Sequence, residues 1–97
     1  MIKRWRVSVE VARDDHAPLM DAAVERLTEV LADDRVVVDR QDARAVLVAM
    51  TIAATGEWAA RSTAESKLRA AADDVWAEFG LPPFTITFVE IASEPDA

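Results

Sequence analysis

Residues 35–54 read RVVVDRQDARAVLVAMTIAA, and this stretch decides the order of the elements around it. Its first part, 35–39, is rich in valine and predicts a short strand. Its second part, 43–54, is an almost continuous apolar run with Val, Met and Ile, a pattern typical of a central strand buried on both faces. Residues 40–42 form a tight polar connection between the two parts. The middle of the chain therefore predicts two consecutive strands.

The residues before this stretch predict a strand and then a helix. Residues 5–11, WRVSVEV, alternate apolar and polar side chains, which is the pattern of a half-buried strand. After a turn at 13–16, Pro18 is suited to the first turn of a helix. This helix ends near 33–34, and its apolar residues recur at helical spacing: Met20, Val24, Leu27 and Leu31.

The residues after the stretch predict a long helix and a last strand. The apolar residues of 57–79 fall on one helical face, and Gly80 is a stop signal. The helix begins either after Thr55 or at a capping box over 62–65. The long form is favoured because the short form leaves an unusually long loop. The last strand covers 84–91, and 93–97 is expected to be a frayed tail.

The order strand–helix–strand–strand–helix–strand is that of a split βαβ unit. Right-handed crossovers place the first and third strands in the centre of the sheet, in the order 4-1-3-2. Both helices then cover one face, and the other face stays open. We therefore predict a single α+β domain over 1–92, a ferredoxin-like βαββαβ sandwich. Its expected core contains Val7, Val9, Leu27, Val48, Met50, Leu68, Val75 and Phe84.

The composition excludes several classes of function. The 97 residues include 11 Lys+Arg and 18 Asp+Glu, and the net charge of −7 repels nucleic acid and anionic membranes, so neither is an expected partner. There is no cysteine for disulfides or thiolate metal sites, and the two glycines cannot build a glycine-rich phosphate loop. No apolar stretch reaches the length of a membrane span. We expect a cytoplasmic protein.

No constellation of residues predicts a catalytic, cofactor-binding or metal site. His16 stands beside Asp14 and Asp15, where a general base, a single metal ligand or a solvated loop residue each fits. A metal site needs three or four converging ligands, and a catalytic histidine needs an orienting partner and a nucleophile. Neither set is present at a recognisable spacing, so we predict no metal and no cofactor.

The three tryptophans have different expected places. Trp5 opens the apolar face of the first strand and belongs to the core. Trp58 and Trp76 flank the apolar stripe of the long helix on opposite sides. Trp76 is expected at the border of the core. Trp58 is a candidate for the edge of a pocket or a partner surface, because tryptophan is enriched at interfaces.

Three short segments carry a resemblance to a known group of proteins: WRVSVEV at 5–11, AVERL at 23–27 and GLP at 80–82. In these segments the chain resembles small uncharacterised ferredoxin-like proteins of high-GC bacteria, and the resemblance extends over nearly the whole chain. It implies the fold. It implies no activity, because this superfold hosts many unrelated functions.

The open face of the sheet is the feature that predicts a function. Small, partly apolar residues face outward there, and such surfaces are often covered by a partner or a second copy. The last strand is also a long edge with little protection by charge. We predict a homodimer, or a complex with an unidentified protein partner, through this face, this edge, or both. The residues expected there are Arg6, Ser8, Glu10, Leu47, Ala49, Thr51, Thr85, Thr87, Val89 and Ile91.

Two classes of function stay open from the sequence. The favoured one is a non-enzymatic interaction or dimerisation module. The alternative is a small-ligand binder or cofactor-free enzyme that resembles the dimeric α/β-barrel proteins of this fold, with a site between the open face and the long helix. Its candidate residues are Arg6, Glu10, His16 and Trp58. An enclosed cavity that holds Glu10 would favour the alternative, and a filled face would favour the module.

Overall fold

A computed structural model describes residues 2–15, 17–32, 36–40 and 43–93. Within these ranges the six elements follow one another in the predicted order. They are β1 (Lys3–Arg13), α1 (Asp21–Val30), β2 (Val37–Arg40), β3 (Ala45–Ala54), α2 (Glu57–Phe79) and β4 (Phe84–Ser93). Ser93, expected in the tail, belongs to β4. The expectations for His16 and for 94–97 lie outside the described residues.

The four strands form one antiparallel sheet in the order β2-β3-β1-β4. This is the predicted order counted from the opposite edge. The chain is therefore an α+β protein, and the sheet order is consistent with a ferredoxin-like fold. β1 pairs along most of its length with both β3 and β4, which fixes the face on which each residue of these strands lies.

Both helices pack on one face of the sheet, and the core lies between the two layers. Of the eight residues expected in the core, seven are at most 1 % exposed. The eighth, Phe84, is only half-buried because it lies on the edge strand β4. β3 was expected to be buried on both faces, but its residues are fully buried on the helix side and mostly half-buried on the other side. No helix or strand of the described ranges covers that second face.

α2 is the long helix predicted over 57–79, and a glycine stands at each end of it. Its N-cap is Gly56 rather than Thr55, and no side chain caps it. At the other end Gly80 adopts the left-handed conformation, with φ 63°. The N–H groups of Gly80 and of the next residue donate to the carbonyls of Ala77 (3.3 Å) and Trp76 (2.9 Å). These two bonds form a Schellman motif, which closes the helix.

α1 begins at Asp21, later than the predicted start near Pro18. The preceding segment stays extended because the N–H of Leu19 donates to the carbonyl of Ala43 at 2.8 Å. This bond buries Leu19, which the helical pattern did not identify as a core residue. Met20, expected on the buried face, is instead the N-cap and is 44 % exposed.

The tryptophans occupy three different environments. Trp5 is half-buried against the core, and its Nε1 donates to the carbonyl of Ala54 at 3.1 Å. Trp76 is buried, and its ring meets that of Phe84 edge to face at a centroid distance of 5.6 Å. Trp58 is 81 % exposed and takes no part in the core.

Candidate interaction surface

The side of the sheet that faces away from the helices, the open face, is built from rows of side chains. Every second residue of a strand lies on one face, and the strand register aligns these residues across the sheet. We name three central rows after their β1 residue. The Glu10 row contains Asp39, Leu47, Glu10 and Phe88; the Ser8 row contains Val37, Ala49, Ser8 and Glu90; the Arg6 row contains Thr51, Arg6 and Ala92. Six of the ten predicted surface residues, those of β1 and β3, therefore share this face.

A β-bulge in β4 interrupts the pairing with β1. Glu10 pairs with Phe88, and the next residue, Val11, pairs with Ile86. Thr87 is therefore an extra residue on β4 with no counterpart on β1. Such an insertion bends the strand and shifts the alternation of its side chains by one position.

The bulge changes which residues of β4 lie on the open face. Val89 and Ile91 were predicted there, but they pack against the core on the helix side, so this prediction is wrong. Phe88, Glu90 and Ala92 take their place. The sequence contains the signal for this change, since two adjacent apolar residues, Phe88 and Val89, interrupt the alternation of the strand.

Hydrogen bonds hold an acid and a base on the central strand β1. The carboxylate of Glu10 accepts a hydrogen bond from Thr87 Oγ1 at 2.7 Å. The guanidinium of Arg6 donates to Thr51 Oγ1 at 3.3 Å. Both β1 residues are half-buried by their neighbours in the sheet. The open face therefore displays opposite charges in two ordered positions, one row on each side of Ser8.

Apolar side chains fill much of the area around these charges. Val37 on β2 is 52 % exposed and Phe88 on β4 is 48 % exposed. Leu47 and Ala49 on β3 lie between them and are half-buried. Val37 and Phe88 thus flank the polar residues of β1 on both sides, and exposed apolar area on one face is a mark of protein interaction sites.

The edge of β4 is better protected than the sequence indicates. The bulge at Thr87 twists the strand, and Glu90 adds a charge, both of which are recognised protections of edge strands. Thr85 also lies on the exposed side, and its hydroxyl donates to the carboxylate of Asp14 at 2.7 Å. The open face is therefore a better candidate for an interface than the β4 edge.

The residues of the alternative ligand site do not converge. Arg6 and Glu10 lie on the open face, whereas Trp58 lies on α2, in the layer on the opposite side of the sheet. A pocket between the open face and α2 is therefore incompatible with this arrangement. His16, the fourth candidate, lies outside the described residues.

A groove of about 380 Å³ lies between the end of α1 and the middle of α2. Its lining is mainly apolar, with Val30 on one side and Ala71 on the other. Neither Arg6 nor Glu10 lines it. Near one end Arg26 donates to the carboxylates of Glu29 (3.0 Å) and Glu78 (3.1 Å), and these hydrogen bonds raise the pKa of Arg26 above its ordinary value.

Three further observations bear on function. Within the described ranges no three His, Cys, Asp or Glu residues are grouped so that they could hold a metal ion. Neither α1 nor α2 combines the length and apolarity that a membrane crossing requires. No protein-family model, curated protein or solved structure matches the chain. The open face is therefore the feature from which a function is inferred.

Proposed function

We propose that this protein is a non-enzymatic homodimerising module of ferredoxin-like fold, in which a second copy covers the open face. One observation carries the proposal: the open face combines large exposed apolar side chains, Val37 and Phe88, with ordered charges of both signs. The solvated face of an antiparallel sheet is commonly polar, so large apolar side chains on it call for an explanation. The proposal includes a cytoplasmic location and membership of the ferredoxin-like group that the sequence resembles.

The mixture of charges on the open face favours a second copy over an unrelated partner. A two-fold interface brings the same patch of two chains together, so the patch must be complementary to itself. Each chain carries a net charge of −7, which opposes self-association through most surfaces. The open face reduces this opposition because Arg4 and Arg6 offset part of the negative charge of Glu10, Asp39 and Glu90.

The area of the open face is compatible with a modest dimer. Four strands are about 19 Å across, and nine residues of β1 are about 30 Å long, from the usual strand spacing and rise. Because β2 has only four residues, the face covers roughly 500 Å² per chain, at the lower end of specific interfaces. We expect association at micromolar rather than nanomolar concentrations.

Sedimentation equilibrium at tens of micromolar tests the proposal. A two-chain species is expected for the parent protein, and Phe88→Asp should weaken its association at least about tenfold, since it places a charge in the apolar part of the interface. Trp58→Asp is the matched control. It makes the same kind of change at an exposed aromatic residue off the face and should leave the association unchanged.

Two results would contradict the proposal. The first is a mass that stays at the single-chain value of 10.7 kDa over the whole concentration range. The second is a dimer that survives both Phe88→Asp and Ala49→Arg, because such a dimer uses another surface. Circular dichroism of each variant establishes that its fold is retained.

A further inference from the structure

Within the proposed homodimer, on which this inference rests, we propose that the two-fold axis follows the Ser8 row. β1 of one copy then faces β1 of the other in the opposite direction. Residues two positions before Ser8 face residues two positions after it. Arg6 of each copy therefore lies against Glu10 of the other copy, and the dimer contains this ion pair twice.

The positions of the charges on β1 support this register. Arg6 and Glu10 lie on the same face at equal distances from Ser8, about 14 Å from each other along the strand. An axis along the Arg6 row would bring the two Arg6 side chains together, and an axis along the Glu10 row would bring the two Glu10 side chains together. Like charges in contact at an interface oppose association strongly. The Ser8 row avoids both arrangements, and the like charges that it brings together, the two Glu90 carboxylates, are exposed at the edge of the sheet.

The sizes of the neighbouring side chains support the same register. Residues of the Glu10 row face residues of the Arg6 row, so Leu47 faces Thr51 and Phe88 faces Ala92. Leu47 and Phe88 thus each meet a smaller side chain, and Val37 in the Ser8 row meets Val37 of the other copy. Packed sheets keep their strand directions within about 30° of each other, so β1 of one copy crosses β1 of the other at a small angle.

A mixing experiment with charge-reversed chains tests the register. Arg6→Glu alone and Glu10→Arg alone should each dimerise at least about tenfold more weakly than the parent, since like charges then meet twice. Mixed together, the two variants should form a heterodimer in preference to either homodimer, because one chain supplies two negative positions and the other supplies two positive ones. Native mass spectrometry of one tagged and one untagged chain measures the species directly.

A third variant distinguishes this register from one in which the two-fold axis is shifted along β1. Arg4 lies on the same face, one row farther from Ser8 than Arg6, and it faces Ala12 of the other copy in the proposed dimer. Arg4→Glu mixed with Glu10→Arg should therefore give no preference for the heterodimer. A preference for that pair would place the axis between the Arg6 and Ser8 rows and would overturn the inference.

The outcomes separate the register from the proposed function. The double variant Arg6→Glu/Glu10→Arg should dimerise like the parent, which also shows that neither substitution prevents folding. A parent that dimerises without any preference in the Arg6→Glu and Glu10→Arg mixture overturns the register and leaves the homodimer standing. A parent that is monomeric, with no heterodimer in the mixture, overturns both.

Discussion

Hydrogen bonds from neighbouring groups lower the pKa of Asp15. Nε and Nη2 of Arg13 donate to its two carboxylate oxygens at 3.0 and 2.8 Å, and the N–H of Ala17 donates at 3.1 Å. The hydrogen bond from Arg13 and then that from Ala17 hold the pKa of Asp15 below the ordinary aspartate value. The resulting stability is present above the unfolded-state pKa and is lost as the pH falls through the lower folded-state pKa.

An NMR titration of the Asp15 carboxyl carbon checks this prediction. The midpoint in the parent should lie below the value of an unstructured aspartate, and Arg13→Gln should raise it. Arg61→Gln removes the same charge from α2, where its partner is Glu65, and should leave the Asp15 midpoint in place. Equal midpoints in the parent and in Arg13→Gln would show that the contact does not persist in solution.

Leu68 tests the packing of α2 on the sheet. Its side chain is fully buried in the core, so Leu68→Ala should lower the free energy of unfolding by about 2–5 kcal/mol. Ser66→Ala, two residues earlier on the exposed side of the same helix, should change it by less than about 0.5 kcal/mol. Urea unfolding followed by circular dichroism measures both variants. Similar values for the two would mean that the orientation of α2 is wrong.

At the scale of single residues, the sequence predicted most of the core residues. It did not predict for every strand residue the face of the sheet on which its side chain lies. The alternation of β1 identified Val7 and Val9 correctly, because β1 pairs without interruption with β3. The same argument failed for Val89 and Ile91, because period-two alternation assumes that no residue is inserted. Leu19 was missed since a long-range backbone hydrogen bond, rather than a local pattern, buries it.

At the scale of an element, the glycines at the two ends of α2 allow substitutions to be compared at two positions that differ in backbone conformation. A Cβ atom would meet nothing within 4 Å at either position, so only the backbone conformation differs. Gly80 has φ 63°, and Gly80→Ala should destabilise the protein by about 1 kcal/mol. Gly56 is extended, with φ −165°, and Gly56→Ser should be neutral or stabilise it by a few tenths of a kcal/mol, because serine supplies the missing cap.

Thermal unfolding of both glycine variants measures this difference. Gly80→Asn should fall between the parent and Gly80→Ala, since asparagine tolerates the left-handed conformation better than alanine does. If Gly80→Ala is as stable as the parent, the Schellman motif does not close the helix as described.

The elements that could be predicted are those with strong local signals. α2 has a long apolar face and a glycine stop, and its bounds agree with the prediction at both ends. α1 has a weaker start signal, and its first residue is set by the contact of Leu19 with Ala43 in the loop before β3. Helix ends determined by tertiary contacts cannot be located from the local sequence alone.

At the scale of the whole molecule, the handedness of the crossovers was sufficient to predict the sheet order. The composition of the open face was not predictable to the same degree. It depends on a register shift in the edge strand, which follows from how β4 meets β1 and not from the topology.

Glu90 links the net charge of the molecule to its association. Glu90 lies in the Ser8 row at the rim of the proposed interface. In the dimer, Glu90 of one chain therefore faces Glu90 of the other chain. Glu90→Gln should therefore tighten the dimer about two- to fivefold, the usual size of a solvated charge interaction. Sedimentation equilibrium at low salt measures the change.

Glu25→Gln is the control for Glu90→Gln. It removes one negative charge from the exposed side of α1, away from the open face, and reports the effect of net charge alone. If both substitutions tighten the dimer equally, Glu90 does not lie near the axis.

The extra residue Thr87 has a consequence for the tendency of the chain to aggregate. Without it, β4 would read FTIFVEIAS, in which the core-side residues Phe84, Ile86, Val89 and Ile91 fall at every second position, so packing of the core does not require the insertion. A regular edge of this kind is a template on which strands of newly made or partly unfolded chains add, the first step toward fibrils. Deleting Thr87 should leave the native core intact and yet shorten the lag before thioflavin-positive fibrils appear on warming. The insertion would then slow the nucleation of fibrils.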